Sequence, residues 1–202
     1  MKKMVFAAVC LSVAAGATSH AQTFTEAKSG AVFDVSKDGM TLLGAGLRVK
    51  KILFTFKAYA VGLYVDDAAL TGPLAAFKGK TSSPEFYQAV QTGDFRKELV
   101  LKFLRTLSES RIQDAMRESL AGADAKTLDQ FVSYFPEVKE GQECVLRWAP
   151  GGILESVMAG QTKPPIENRA FAERLYGLYV GPKPIQEDIK VDIFARAKDV
   201  LK

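Results

Sequence analysis

The alternation of hydrophobic and polar positions predicts a chain that starts with strands. Three short extended segments, separated by turn-forming residues, cover residues 24–27, 32–35 and 40–43. The run 49–65 is the strongest strand signal, because its odd and even positions are both largely apolar. We expect this run to be a single central strand, covered on both faces. Gly44-Ala45-Gly46 predicts a tight turn that leads into it.

Further along the chain, the spacing of apolar residues changes from that of strands to that of helices. Residues 66–93 predict a short excursion of helix and loop, and 97–105 predicts another strand. A hairpin is expected at Pro150-Gly151-Gly152, between strands at 144–149 and 153–159. The first predicted helix begins after Ser108. Three more predicted helices cover 127–135, 166–179 and 185–201. Strands followed by blocks of helices indicate an α+β fold, with helices packed on one face of a mainly antiparallel sheet.

Residues 1–21 have the composition of a secretion signal. Lys2 and Lys3 precede a run of apolar or small residues, 4–17, that is too short to span a bilayer. Ser19-His20-Ala21 then has the small-x-small pattern of a cleavage site. We expect cleavage after Ala21, a periplasmic or secreted product, and a single domain over residues 22–202. An uncleaved N-terminal anchor is the alternative that this pattern disfavours.

Charge and composition argue against several classes of function. The 202 residues include 27 Lys and Arg against 23 Asp and Glu, without a basic run interleaved with aromatic residues, so we expect no nucleic-acid partner. The one histidine, His20, belongs to the leader, and Cys144 is the one cysteine that follows it. We therefore expect no histidine-dependent catalytic site, no metal, no cofactor and no intramolecular disulfide. Beyond the leader we expect no membrane-spanning segment, a buried Cys144 and a monomer.

Two polar residues stand out against the apolar strand region. Arg48 carries a fixed positive charge on a planar fork of donors that fits a carboxylate. Tyr59 can donate a further hydrogen bond from an apolar wall. The tail of an anionic ligand held by these two would lie among Phe54, Phe56, Phe103 and Trp148. The residues alone also allow the alternative that Arg48 is a solvated strand-end arginine and Tyr59 a packed core ring.

Several blocks of the sequence, in order from about residue 38 to the C-terminus, resemble the chalcone isomerase family. They are Gly44-Ala45-Gly46-Leu47-Arg48, residues 58–67, residues 74–80, Gly151-Gly152-Ile153-Leu154 and residues 166–170. The resemblance implies an open-faced β-sandwich, in which a large antiparallel sheet lies under a layer of helices. It also implies a ligand cleft between the sheet and the helices.

The resemblance further implies which residues surround the cleft. The family arginine falls on Arg48, and Tyr59 stands where true isomerases have a threonine, as it does in the fatty-acid-binding members. The family lysine falls on Phe103 or, with a shift of one residue, on Lys102. The catalytic tyrosine, the asparagine and the later threonine of true isomerases fall on Ile112, Ser119 and Leu178. Because apolar groups replace hydroxyl donors, chalcone isomerisation is disfavoured and an acyl chain is favoured.

These observations lead to three hypotheses. The first is an exported, non-catalytic binding protein for a fatty acid or similar apolar carboxylate, held by Arg48 and Tyr59 and lined by Lys102 or Phe103, Ile112 and Leu178. The second is an isomerase or lyase on another substrate, with Arg48 as electrophile and Tyr59 as acid. The third is a structural or interaction protein whose cleft has collapsed, with Arg48 paired to an internal acid.

Overall fold

The computed structural model describes residues 22–51 and 55–202. The predicted leader, with its cleavage site after Ala21, lies outside the described residues. Phe54, one of the side chains expected around the ligand tail, lies outside them as well.

Within the described residues, nine strands form two sheets. The chain opens with β1 (Thr23–Thr25) and β2 (Val32–Asp34), which form a small two-stranded sheet. The main sheet is antiparallel throughout, and its spatial order follows the chain order. Its strands are β3 (Ser36–Lys37), β4 (Met40–Lys51), β5 (Thr55–Asp66), β6 (Lys97–Phe103), β7 (Glu143–Ala149), β8 (Ile153–Met158) and β9 (Gln161–Ile166).

Helices connect the strands and follow the last one. They are α1 (Asp67–Thr71), a 3-10 turn at Ala75–Phe77, α2 (Pro84–Thr92), α3 (Glu109–Ser119), α4 (Ala125–Val132), α5 (Arg169–Val180), α6 (Glu187–Asp192) and α7 (Ala197–Val200). Their apolar faces pack on one side of the main sheet in a large core. The α+β fold with an antiparallel sheet under a layer of helices is confirmed. Within the described range, none of these helices is long and apolar enough to cross a membrane.

Strand β5 is central, with β4 and β6 as its hydrogen-bonded neighbours. Residues 58–65 are all buried, because the strand contributes to a core on each of its faces. On the face away from the helices, Ala60 and Tyr64 pack with Phe33 of β2 and Val100 of β6. The prediction that this strand is covered on both faces is therefore correct.

The boundaries of the predicted central strand were wrong. Residues 49–65 comprise the end of β4 and nearly all of β5, since Lys51 pairs with Thr55 in antiparallel register. The apolar run contains no Gly, Pro, Asn or Asp between Val49 and Tyr59 that would signal the reversal. Gly44-Ala45-Gly46 lies inside β4 rather than in a turn, next to a bulge between Leu42 and Gly44.

The C-terminal helices also differ from their predicted bounds. Ile166 ends β9, and α5 begins only at Arg169, where the Asn168 side chain accepts a hydrogen bond from the backbone N–H of Phe171 at 3.0 Å. The single helix predicted over 185–201 is split into α6 and α7. Between them the backbone N–H of Arg196 donates to the carbonyl of Leu43 at 2.9 Å, so contact with β4 interrupts the helix.

Candidate ligand-binding site

A cleft of about 270 Å³ lies between helix α3 and the ends of β4 and β5 that are nearest residues 52–54. Apolar side chains make up most of its wall: Phe56, Phe103, Leu107, Ile112, Met116 and Ile185. The polar groups that open onto it include Arg48, Tyr59 and Ser119. An apolar cavity with a few converging polar groups is typical of a small-molecule site.

A second cavity, of about 600 Å³, is bounded by α2 and by the end of α5 with the residues that follow it. The one charged side chain among its described lining residues is Lys190. The Lys190 ammonium donates to the carbonyl of Gly181 at 2.8 Å and lies 4.6 Å from the ring centroid of Tyr87. This cavity is larger, but Gln88, Gln91 and Thr92 make much of its wall polar, so the smaller and more apolar cleft fits an apolar anion better.

Pairing of β4 with β5 brings Arg48 and Tyr59 together. The two residues are direct cross-strand partners on two different strands, whereas a single strand was predicted over residues 49–65. A bulge follows at once, between Arg48 and Val49. Directly paired residues project from the same face of a sheet with their Cβ atoms about 5 Å apart, so both side chains reach the cleft.

The Arg48 guanidinium is held by neutral acceptors. Its Nη1 donates to the carbonyl of Ile185 at 3.1 Å and to Oε1 of Gln186 at 3.3 Å. Among residues 22–51 and 55–202, no Asp or Glu forms an ion pair with it. The side chain is partly buried. A partly buried positive charge without a carboxylate partner has donors that an anion could take, and the cleft beside it is not collapsed.

Tyr59 has a partner that the sequence analysis missed. Its hydroxyl lies 3.0 Å from the hydroxyl of Tyr179 on α5, and both side chains are buried. Burial raises the pKa of Tyr59 and of Tyr179, although the positive charge of Arg48 acts in the opposite direction on both. Both phenols are therefore neutral at physiological pH, and the pair retains a proton that it can donate to an anion.

A signal for Tyr179 was present in the sequence. The buried positions of α5 include Ala172, Leu175, Tyr176 and Tyr179, which is the i, i+3, i+4, i+7 spacing of one helix face. Leu178 was named in its place because the later threonine of true isomerases falls on that position.

Two of the other predicted site residues line the cleft. Phe103 is buried, and its ring centroid lies 5.6 Å from that of Tyr59. Ile112 on α3 is 4% exposed and contributes only carbon atoms to the wall. Ser119, at the position of the family asparagine, lies at the same cleft.

Three other residues lie elsewhere. Lys102 is on the opposite face of the sheet, where its ammonium forms an ion pair with Glu143 at 2.8 Å and lies 5.0 Å from the ring centroid of Phe33. Neighbouring residues of a strand face opposite ways, so Phe103 and Lys102 cannot both face the cleft. Leu178 is absent from the described lining and packs against the core. Trp148, expected near the ligand tail, is fully buried against Tyr176 instead.

Comparison with known proteins places this chain in a family. The family model described as chalcone isomerase-like matches residues 21–194. A chalcone–flavanone isomerase of Clitoria ternatea is 27% identical over 187 residues, which cover 83% of this chain and 85% of that protein. Chalcone isomerase-like protein 1 of Humulus lupulus is 25% identical over 203 residues, covering 92% of each chain.

A solved structure shares the fold. The crystal structure of a fatty-acid binding protein of Arabidopsis thaliana superposes with a TM-score of 0.77 at 21% identity, covering 89% of this chain and 99% of that one. Together with the family match over most of the sequence, this similarity confirms the resemblance in the ordered blocks. The chain belongs to the chalcone isomerase-like family.

Proposed function

We propose that this protein binds a fatty acid or a similar apolar carboxylate without transforming it. The observation that carries the proposal is Arg48, whose partly buried charge faces an apolar cleft and has no acidic partner among the described residues. A carboxylate would take the unused donors of the guanidinium and accept from the neutral Tyr59–Tyr179 pair. The similarity to a protein named as a fatty-acid binding protein supports this choice of ligand.

The wall of the cleft supports an aliphatic tail. Phe56, Phe103, Ile112 and Met116 offer carbon surface next to the polar end. Each methylene that leaves water for such a surface contributes about 0.8 kcal/mol. The head group provides orientation, and the tail provides most of the binding free energy.

Titration calorimetry with decanoate and decanol on the purified protein tests this proposal. We expect decanoate to bind more tightly than decanol. Arg48→Ala should weaken decanoate binding about ten- to a hundredfold, because a hydrogen bond to a charged group contributes about 1.5–3 kcal/mol. The affinity for decanol, which lacks the charge, should change little in the same variant.

Lys102→Ala is the matched control, because it removes a cation from the opposite face of the same sheet. Decanoate affinity should survive that change. The proposal is wrong if Arg48→Ala binds decanoate as well as the unmodified protein does, or if the unmodified protein binds neither compound.

The alternative is an isomerase or lyase that uses Arg48 as electrophile and Tyr59 as acid. Relatives named chalcone–flavanone isomerases favour it. Ile112 weighs against it, since the resemblance puts the catalytic tyrosine there and loss of such a donor costs on the order of 3 kcal/mol in the transition state. Turnover of a chalcone that disappears in Arg48→Ala would favour the enzyme over the binding protein.

Export is part of the same proposal and rests on the sequence of residues 1–21 alone. The mass of the protein recovered from its own host should correspond to a chain that begins at Gln22. Recovery from the cytoplasm with residues 1–21 attached would contradict export, and it would leave the binding proposal intact.

A further inference from the structure

The hairpin of β4 and β5 extends past the end of the neighbouring strand. The last pair between β5 and β6 is Tyr59 with Phe103, whereas β4 and β5 continue to pair as far as Lys51 with Thr55. Lys50, opposite Phe56, is therefore on a part of the hairpin that β6 does not reach. Residues 52–54 lie outside the described residues.

Four basic side chains surround this end of the hairpin, and we call them the basic rim: Lys50, Lys51, Arg105 and Arg111. In the described part of the chain none of the four forms an ion pair. The guanidinium carbon of Arg105 lies 4.5 Å from the ring centroid of Phe56, and its Nε is buried without a hydrogen-bond partner in the same range. Lys51 and Arg111 are exposed, and Lys50 and Arg105 are partly exposed, so these side chains can meet an external anion.

The basic rim is continuous with the ligand cleft. Lys50, Arg111 and Phe56 all line the cleft, and Arg111 is exposed, so the cleft reaches the protein surface at the basic rim. Two acids of α3, Asp114 and Glu118, line it too, and both are exposed. The mouth of the cleft, where it meets the basic rim, thus has the ring of Phe56 and more basic than acidic side chains.

This combination suits a lipid surface better than a nucleic acid. Basic side chains near a membrane are attracted by anionic head groups, and the attraction falls off within a Debye length. Phe56 lies beside them, and phenylalanine together with basic residues is typical of surfaces that bind the membrane interface. The chain as a whole is nearly balanced, with 27 basic and 23 acidic residues, so it lacks the broad positive charge typical of binding to nucleic acid.

We propose that the basic rim docks the mouth of the cleft onto an anionic lipid bilayer. In this position an acyl chain passes between bilayer and cleft without crossing water, where each exposed methylene is unfavourable. That transfer rests on the proposed function, whereas the docking itself does not.

Vesicle sedimentation with the ligand-free protein tests the docking. Vesicles of phosphatidylcholine alone are compared with vesicles of equal parts phosphatidylcholine and phosphatidylglycerol. We expect binding only to the anionic vesicles, and weaker binding as salt is added. Lys50→Gln combined with Lys51→Gln should weaken that binding about thirtyfold, because two basic residues near the surface are lost.

The matched control is Lys78→Gln combined with Lys80→Gln, which removes the same charge from exposed lysines that follow the 3-10 turn. The control should bind anionic vesicles almost as well as the unmodified protein. Equal losses in the two double variants would mean that net charge alone is responsible, and would overturn the docking surface. Absence of vesicle binding would overturn it too, as would duplex DNA binding that depends on Lys50 and Lys51 while vesicles are ignored.

Failure of the docking and failure of the binding function are separable. Decanoate calorimetry on Arg48→Ala reports on the cleft in the absence of any membrane. Vesicle sedimentation reports on the basic rim in the absence of any ligand. A protein that binds decanoate but no vesicles keeps the first proposal and loses the second.

Discussion

A buried pair of tyrosine hydroxyls is stable because each hydroxyl satisfies the other. Tyr59 and Tyr179 lie 3.0 Å apart, oxygen to oxygen, on two elements that are far apart in the chain. A buried hydroxyl without a partner costs about 1–3 kcal/mol, whereas removing both partners can be nearly neutral. The pair therefore contributes to the stability of the fold as well as to the chemistry of the cleft.

This dependence predicts a non-additive pattern of stabilities. Tyr59→Phe and Tyr179→Phe should each lower the free energy of unfolding by roughly 1–3 kcal/mol, because each leaves one buried hydroxyl unpaired. The double variant should lose clearly less than the sum of the two, and urea unfolding of all four proteins measures this. Additive losses would mean that the two hydroxyls do not depend on each other.

At the scale of elements, glycines in β4 allow helix α6 to lie directly on the sheet. A Cβ atom built on Gly44 would be 2.4 Å from the carbonyl oxygen of Asp192, and one on Gly46 would be 3.2 Å from the Cα of Ile189. The residue just before α6, Gln186, accepts a hydrogen bond from the backbone N–H of Val49 at 3.1 Å. Close packing of α6 thus holds in place the acceptor that orients Arg48.

Gly44→Ala should therefore damage both the fold and the site. The backbone at Gly44 has a φ of +153°, and the added methyl would collide with backbone atoms of α6 and the residues after it. We expect a loss of unfolding free energy of about 2–4 kcal/mol and weaker decanoate binding. Gly79→Ala is the control, since its φ is +74° but nothing lies within 4 Å of the new atom, and it should cost only about 1 kcal/mol. Equal losses of unfolding free energy in the two variants would mean that close packing of α6 on Gly44 is not the cause.

The sequence was informative where periodicity and side-chain chemistry agreed. The α+β class, the hairpin at 150–152 and the burial of Cys144 follow from local pattern and are present. The antiparallel pairing of Lys51 with Thr55 was missed, because no turn-forming residue in the sequence marks the change of strand. The break between α6 and α7 was missed for a similar reason, since the contact of Arg196 with Leu43 is tertiary.

The same limit applies to the site. Arg48 and Tyr59 could be singled out because a polar group in an apolar strand region is conspicuous in any sequence. The face on which Lys102 lies depends on the register of β6, and the contact of Tyr179 with Tyr59 depends on how α5 packs against the sheet. Leu178 was named because the later threonine of the family falls on it, whereas the period of α5 brings Tyr179 to the buried face.

At the scale of the whole molecule, one lysine is buried in the main core. The Nζ of Lys97 donates to the carbonyls of Val90, Gln91 and Gly93 at 2.7–2.9 Å. It also lies 4.0 Å from the ring centroid of Trp148. Carbonyls at the end of a helix and an aromatic face both attract a cation, so this side chain connects α2 to the sheet.

Burial nevertheless lowers the pKa of Lys97 from its ordinary value of 10.5 to about 7, with the nearby Arg169 acting in the same direction and Glu173 and Asp94 opposing. Below pH 7 the folded and unfolded chains both hold this proton, and the penalty of burying the charge is fully present. Between about pH 7 and pH 10 the unfolded chain still holds the proton while the folded chain has released it. The unfolded state then binds more protons, so the contribution of Lys97 to the free energy of unfolding rises with pH.

We therefore expect the difference in unfolding free energy between the unmodified protein and Lys97→Met to shift in favour of the unmodified protein as pH increases from 7 to about 9.5. Urea unfolding at a series of pH values measures this difference, and groups common to both proteins, such as the buried tyrosines, cancel from it. Leu99→Met, a change at a buried position of the same strand, should give a difference that does not vary with pH. If the Lys97→Met difference is equally flat, Lys97 keeps its proton in the folded protein throughout this range. The three carbonyls and the indole face would then outweigh the burial that disfavours the charge.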